Sequence, residues 1–316
     1  MSILKKLLTK LEGHCYPNYS LCLSKEVFQY PIHVYLYQDN QVVREVSDEF
    51  IVIGIKPCII ALQKNNDTHF GTTITLIYSQ KFFSITCTIP QLDIIGMLSL
   101  VQVAEIKTSQ PSVFYYQVVL CKHQMANKIH QFVRNFNNRL FNNIPSNIYL
   151  KGNLYDQVQL LYTQPKVTSL ITLKGKDNCH FFPNDLHGKM DEYYFVALRE
   201  GGKFCRQIEE MGKFILSDID VSSFKEVYSF GKIHGQGLSS FDNFSSVFQF
   251  PIPENTVRFK ELAIESALTN GIHRIFVCKI VNEESLVENS NTLANILNSY
   301  ATWRKKNQLE TSYYIR

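Results

Sequence analysis

The sequence predicts a mainly β protein of the α+β class, built from two units that each run from strands into a helix. Three observations carry that expectation. Aromatic residues are abundant, with 17 Tyr and 22 Phe, and aromatic and β-branched side chains favour strands. Most of the chain reads as short runs of alternating apolar and polar residues punctuated by turn dipeptides, the pattern of strands with one solvated face. The chain has 316 residues, 45% of them hydrophobic, and at about 100–200 residues per domain two units are expected. The repeated order of strands followed by a helix suggests a duplication, although no motif aligns between the halves.

Composition narrows the function. Charged residues make up only 19% and the net charge is +4, too small and too scattered to call for nucleic acid. No apolar run approaches the ~18 residues that span a bilayer, so no membrane span is expected. Met1–Leu8 lacks the continuous apolar core and cleavage site of a signal peptide. The 8 cysteines include no C-x-x-C pair, which speaks against a zinc knuckle or a redox motif. Cys58, Cys87, Cys121 and Cys278 sit in apolar runs as small hydrophobes. A reducing cytoplasm is the expected location.

In chain order, Ile3, Leu4, Leu7, Leu8 and Leu11 predict a short amphipathic helix ended by Gly13. Pro31–Tyr37 and Val42–Val46 form strands across an Asp39-Asn40 turn, followed by Phe50–Ile55 and Cys58–Leu62. An exposed tip at Asn65–Asp67 precedes strands at Thr72–Tyr78 and Phe82–Ile89. Met97–Ala104 is ambiguous between strand and helix, and Phe114–Val119 is a strand. Over residues 122–141 the period changes: Met125, Ile129, Phe132, Val133, Phe136 and Leu140 predict a helix with one apolar face turned to a core. Asn142–Asn147 breaks the pattern, which gives a β-rich N-terminal domain over 1–145 and a second domain over 146–316. The second begins with a strand from Leu154 to Tyr162. Lys225–Phe230 and Ser246–Pro251 read as short strands, and Asn270-Gly271 is a hairpin turn into Ile272–Val281. Leu293, Ile296, Leu297, Tyr300 and Trp303 predict a last helix over 292–303.

Chemistry concentrates between Pro165 and Ser217. A strand at Val167–Leu173 and a turn at Gly175–Asn178 lead to the loop Phe181-Phe182-Pro183-Asn184-Asp185. A strand at Tyr193–Leu198 then ends in Gly201-Gly202-Lys203, ahead of a helix at Phe204–Met211. Backbone N–H groups at a glycine-led helix start favour an anion such as a phosphate, and Lys203 and Arg206 add positive charge. Phe181, Phe182 and Pro183 offer a face to a flat ring. Other chemistries lack their motifs. There is no G-x-S-x-G elbow, and Gly231–Gly237 is not spaced as G-x-G-x-x-G. His180 and His187 share a loop and, with His234 or His273, have the residue types of a metal site, but no spacing fixes one and no metal is expected.

The span from about 155 to 285 resembles the flavin reductase-like FMN-binding split-barrel family. PKVTSLITLKGKDNCHFFPNDLHG is similar to the family's strand and ring loop, LREGGKFCRQIEEMGKFILS to its phosphate loop and helix, and ALTNGIHRIFVCKIV to its terminal G-x-H strand. The resemblance implies an antiparallel Greek-key split β-barrel with short helices in the second domain. It implies a cofactor, FMN with FAD as the other candidate, and NADH or NADPH as the hydride donor. Phe182, Pro183, Asn184, Asp185 and Leu186 would contact the ring. Gly201, Gly202, Lys203, Phe204 and Arg206 would hold the phosphate, although Gly-Lys-Phe replaces the hydroxyl residues usual there. His273 would orient the nicotinamide as the residue nearest to catalysis. Family barrels are typically homodimers, so a homodimer is expected. The resemblance assigns no role to the N-terminal half.

Overall fold

The computed structural model describes residues 7, 10–28, 32–63, 71–81, 93–106, 113–141, 143, 148–174, 179–231, 243–309 and 313–315. The expected strand at Phe82–Ile89, the turns at Asn65–Asp67 and Gly175–Asn178, most of the glycine-containing stretch after Gly231, and Ile3, Leu4 and Leu8 lie outside those residues. The strands are β1 (Ser20–Ser24), β2 (His33–Gln38), β3 (Gln41–Glu45), β4 (Phe50–Ile55), β5 (Cys58–Gln63), β6 (Thr73–Ser79), β7 (Ile94–Ile106), β8 (Val113–His123), β9 (Lys166–Val167), β10 (Ser169–Lys174), β11 (Cys179–Asn184), β12 (His187–Met190), β13 (Tyr193–Arg199), β14 (Lys213–Ile219), β15 (Thr256–Asn270), β16 (His273–Ser285), β17 (Leu293–Leu297) and β18 (Tyr314–Ile315). The helices are α1 (Lys128–Phe141), α2 (Asn153–Leu161), α3 (Lys203–Met211), α4 (Phe224–Phe230) and α5 (Asn298–Lys306). The protein is β-rich, with antiparallel sheets and short helices, as composition implied. Among the described residues no helix is long and apolar enough to cross a membrane.

The chain divides into two compact units, residues 1–21, 29–164 and 296–312 in the first and 22–28, 165–295 and 313–316 in the second. This differs from the expected boundary at 145/146, for two reasons. α2 packs on β8, β4 and β5 of the first unit. α5 also belongs there: Asn298 Nδ2 donates to the carbonyls of Tyr16 and Asn18, and Thr302 Oγ1 accepts from the Cys15 N–H.

The first unit is a seven-stranded sheet in the order β3-β2-β6-β7-β8-β5-β4, and the second a seven-stranded sheet in the order β11-β10-β14-β15-β16-β13-β12. Numbered by appearance within each unit, both orders read second, first, fifth, sixth, seventh, fourth, third. The match extends to irregularities. The β7–β8 hairpin has register shifts at Ser99/Leu100 and Gln102/Ala104, and the β15–β16 hairpin at Glu261/Leu262 and Ile264/Ser266. One constant residue spacing relates all these positions. The fifth strand shifts register at Tyr78/Ser79 in one unit and at Asp218/Ile219 in the other. β-bulges are specific features of a fold, so the shared set identifies the units as two copies of one architecture. The N-terminal half, to which the sequence assigned no role, repeats the fold of the C-terminal half. No sequence motif aligns between the two units.

In the second unit the sheet curls onto itself. Ile171 and Leu173 of β10, Tyr194 and Val196 of β13, Phe214 and Leu216 of β14, Leu262 of β15, and Phe276 and Cys278 of β16 meet in one buried cluster. Phe204, Cys205 and Ile208 of α3 complete it. Side chains from strands that far apart in the sheet order converge on one core only in a barrel. α3 carries the chain from the end of β13 to the start of β14, so it closes the barrel at that end.

Five local expectations change. The apolar face of α1 is outside, with Ile129 72%, Phe132 71% and Leu140 57% exposed, while Arg134, Asn137 and Asn138 are buried. The polar side is drawn in by hydrogen bonds: Arg134 Nε donates to the Glu12 carbonyl, Asn137 Nδ2 to the Glu12 carboxylate and Asn138 Nδ2 to the Leu150 carbonyl. Leu154–Tyr162 is not a strand but lies mostly in α2, with Leu160 and Leu161 buried. Lys225–Phe230 is helical, within α4. Ser246–Phe248 is a turn because the Glu261 carboxylate accepts the N–H groups of Val247 and Phe248. The last helix starts only at Asn298, after the strand β17.

Candidate functional site

The glycine lead-in forms where the sequence placed it. Gly202 is the N-cap of α3, its own N–H donates to the Arg199 carbonyl at 2.9 Å, and no side chain caps the helix. A Cβ at Gly202 would meet that carbonyl oxygen at 2.9 Å, so only glycine closes the turn without displacing backbone. Lys203 and Arg206 are exposed beside the uncapped first turn, and Gly201 is exposed with open space around it. The C-terminus of α3 is closed at Gly212, in the left-handed region at φ +66°, whose N–H donates to the Ile208 carbonyl at 3.0 Å.

The two expected loops do meet, but through packing. Phe182 and Phe204 stack nearly parallel, with ring centroids 5.0 Å apart at 6°. Lys203 Nζ lies 5.5 Å from the Phe204 centroid, and the His180 ring is 5.1 Å away. Phe181 to Asn184 are strand residues in β11, with Phe182 opposite Ile171. On the other side of β11, Phe181 packs on Phe230 of α4 at 5.7 Å, and Pro183 lies against Gly231. Phe181 and Pro183 are therefore covered, and half-buried Phe182 is the aromatic surface beside Lys203.

Asn184, Asp185 and Leu186 make a tied corner. Asn184 Nδ2 donates to the Ala197 carbonyl at 2.9 Å and its Oδ1 accepts the Leu186 N–H at 2.6 Å. The Leu186 carbonyl accepts from Ala197 N–H at 2.9 Å, and Leu186 is buried. Asp185 Oδ2 accepts from Asn295 Nδ2 at 3.0 Å. The nearby Lys166 ammonium is brought down to about 8 by burial, against the pull of Asp185.

His273 is 2% exposed. It opens β16 opposite Arg199, from which the Gly201-Gly202 turn springs. Burial, and then the Arg199 charge, push its pKa down to about 4, so the ring is neutral near pH 7. Along β13 and β16 the residues facing the α3 core are Tyr194, Val196, Phe276 and Cys278. Strand alternation puts His273 on the opposite face from Phe204. The structure joins Phe182 with Phe204, leaves Lys203 and Arg206 as exposed residues one turn apart on α3, and sets His273 on another face.

A second polar group, of which the sequence singled out only His187, occupies the barrel end away from α3. Asp218 Oδ1 accepts from Ser169 Oγ at 2.5 Å, and its Oδ2 accepts from Arg258 Nε at 3.0 Å and Nη2 at 2.7 Å. Lys260 Nζ lies 3.5 Å from Asp218 Oδ2 and 3.2 Å from Glu283 Oε1, and it stands 5.5 Å from the Tyr194 ring centroid. The Tyr194 hydroxyl and His187 Nδ1 are 2.8 Å apart. Burial alone would raise Asp218, but Lys260, His187, Ser169 and Arg258 outweigh it and hold the carboxyl below 3.8. Burial takes His187 down to about 4. The signal for this group was present in Arg258 and Lys260, which alternate with Val257 and Phe259, but in the sequence that reads as an ordinary solvated face.

No family model and no curated protein matches this chain. Solved structures do match part of it. An FMN-binding protein from Thermus thermophilus is 18% identical over 40% of this chain and 77% of its own, with a TM-score of 0.36. An NADH:FAD oxidoreductase from Streptomyces globisporus is 15% identical over 46% of this chain and 90% of its own, with a TM-score of 0.40. A nitrilotriacetate monooxygenase component B from Mycobacterium thermoresistibile is 14% identical over 47% of this chain and 86% of its own, with a TM-score of 0.42.

Proposed function

We propose that the second unit binds a flavin nucleotide, FMN in the first instance, and that the chain acts as an NAD(P)H-dependent flavin oxidoreductase. One observation carries the reading: the connection from β13 to β14 is a glycine turn into an uncapped helix flanked by two exposed cations, Lys203 and Arg206. That connection spans residues 200–212, against residues 64–72 between the corresponding strands of the first unit. The N–H donors and charges of this turn suit a phosphate.

The phosphate end of the cofactor fits the residues present. Lys203 and Arg206 would hold it, with the first-turn N–H groups of α3 completing the contact. Phe182, stacked on Phe204 and half-buried, would offer the apolar edge beside it. The bound flavin supplies the hydride chemistry; the protein binds and orients it. The Asn184–Leu186 corner ties the end of β11 to Ala197 of β13. His273, enclosed as it is, pairs through its backbone with Arg199 at the start of the glycine turn.

The enclosure of His273 also favours a second reading, a flavin-binding module without turnover. Two measurements on the purified chain decide. Quenching of flavin fluorescence on titration, lost in Lys203→Glu, supports binding; unchanged affinity in that variant removes the site. NADH or NADPH oxidation with added FMN supports the oxidoreductase, and its absence in a chain that binds FMN leaves the binding module.

A further inference from the structure

The two copies of the fold make it possible to separate what the architecture needs from what one copy has added. The registers of the fifth, sixth and seventh strands give the correspondence. Tyr78 pairs with Gly96, and Leu76 with Leu98, as Asp218 pairs with Arg258, and Leu216 with Lys260. Leu98 pairs with Cys121 as Lys260 pairs with Glu283. On the first strand, Val34 faces Tyr78 as Ser169 faces Asp218. At the third and fourth strands, Phe50 pairs with Leu62 and Val52 with Ile60, as His187 pairs with Val196 and Lys189 with Tyr194.

The polar end of the second barrel is thus built from Ser169, His187, Tyr194, Asp218, Arg258, Lys260 and Glu283. The first barrel has Val34, Phe50, Ile60, Tyr78, Gly96, Leu98 and Cys121 at those positions. The first set is apolar apart from the tyrosine hydroxyl and buried. Its end is filled from within its own unit: a Cβ at Gly96 would meet Leu160 of α2 at 2.8 Å. One copy closes this end with hydrocarbon, and the same fold stands. Replacing buried ion pairs with apolar residues is often neutral or stabilising, so the charges of the second copy are not explained by the needs of the fold.

We propose that this end of the second barrel is a binding site for a small oxyanion, a carboxylate or a phosphate group, separate from the α3 end of the same barrel. The geometry names the position. Asp218 is committed: its side chain is 3% exposed, and Ser169, Arg258 and Lys260 all address it. Glu283 is not. Its side chain is 37% exposed, and one oxygen, Oε1, contacts Lys260 at 3.2 Å and Arg258 at 3.8 Å. Its second oxygen has no ion-pair partner among the described residues, and solvent reaches the side chain. An incoming oxyanion takes the place of Glu283 Oε1 between the two cations, with Glu283 swinging into solvent and Asp218 remaining as the fixed partner below. Arg258, at 42% side-chain exposure, is the entrance, and its guanidinium fork suits a planar carboxylate or a phosphate.

The test uses the full chain titrated with inorganic phosphate and, separately, with acetate, by calorimetry. The expected result is binding of at least one of the two, and which one names the class of group. Arg258→Met weakens it ten-fold or more, and Glu283→Gln strengthens it several-fold because the competing carboxylate is gone. The binding lost in Arg258→Met persists in Lys203→Glu, which separates this site from the one proposed at α3. No binding of either anion overturns the proposal. So does binding that Lys203→Glu abolishes and Arg258→Met spares, or a Glu283→Gln chain with no gain in affinity. Circular dichroism accompanies each variant, and Glu283→Gln, which removes an exposed charge only, carries the test if Arg258→Met fails to fold.

Discussion

Lys260 Nζ lies 3.5 Å from Asp218 Oδ2 with both side chains nearly out of solvent, 6% and 3% exposed. Removing one partner of such a pair strands the other. Asp218→Ala is expected to cost about 3–5 kcal/mol, read as a lower urea midpoint. The paired change Asp218→Leu with Lys260→Leu, closer to what Tyr78 and Leu98 give the first unit, is expected to recover most of that loss. If Asp218→Ala unfolds at the wild-type midpoint, the pair holds nothing together.

Histidines set the acid response. His187 and His273 each sit at about 4, below the ordinary value of 6.5, because burial disfavours the charged ring. As pH falls below 6.5 the unfolded chain takes up protons that the folded chain refuses, so stability falls from about pH 6.5 to about pH 4. Asp218 acts in a lower window: its contribution is present above about pH 3.8 and is lost as pH falls through its depressed folded value. His273→Gln is expected to flatten the slope between pH 6.5 and 4 by up to about 3 kcal/mol. Urea midpoints across that range check it, and a slope identical to wild type contradicts the account.

At the α3 end, Lys203→Glu and Arg206→Glu are each expected to weaken FMN at least ten-fold, about 1.4 kcal/mol, with the thermal midpoint unchanged, since both side chains are exposed. Phe204→Ala is a different experiment. Phe204 belongs to the barrel core, so the change should cost about 3–5 kcal/mol, and any loss of binding would follow from unfolding. Fluorescence titration alongside thermal melts separates the two cases.

The inversion of α1 gives a direct contrast. Phe132→Lys, at a residue 71% exposed, is expected to change stability by no more than about 0.5 kcal/mol. Arg134→Ala, which empties a buried position bonded to the Glu12 carbonyl, should cost about 1.5–3 kcal/mol. The opposite ranking in denaturation curves would restore the apolar face to the interior.

The glycine turn, the helix behind it and the strands on either side were all legible, because each is announced within a few residues. Phe182 and Phe204 were both singled out, but their mutual stacking was not, since it depends on how β11 and α3 meet. The helix over 128–141 was legible as a helix and misread as to its buried side. Periodicity reveals that a helix has two faces, and the hydrogen bonds made by Arg134, Asn137 and Asn138 chose between them.

Residue order alone established the β-rich class, the Asn270-Gly271 hairpin and a helix led by Gly201-Gly202, since propensity and turn chemistry act over short distances. Tertiary structure decided the rest. It showed that both halves fold to one strand order, that His273 is enclosed on the far face from Phe204, and that Asp218, Arg258, Lys260 and Glu283 converge at one barrel end. The physical reason is that strand pairing joins residues far apart in the chain, and alternation along each strand then decides which side chains share an interior.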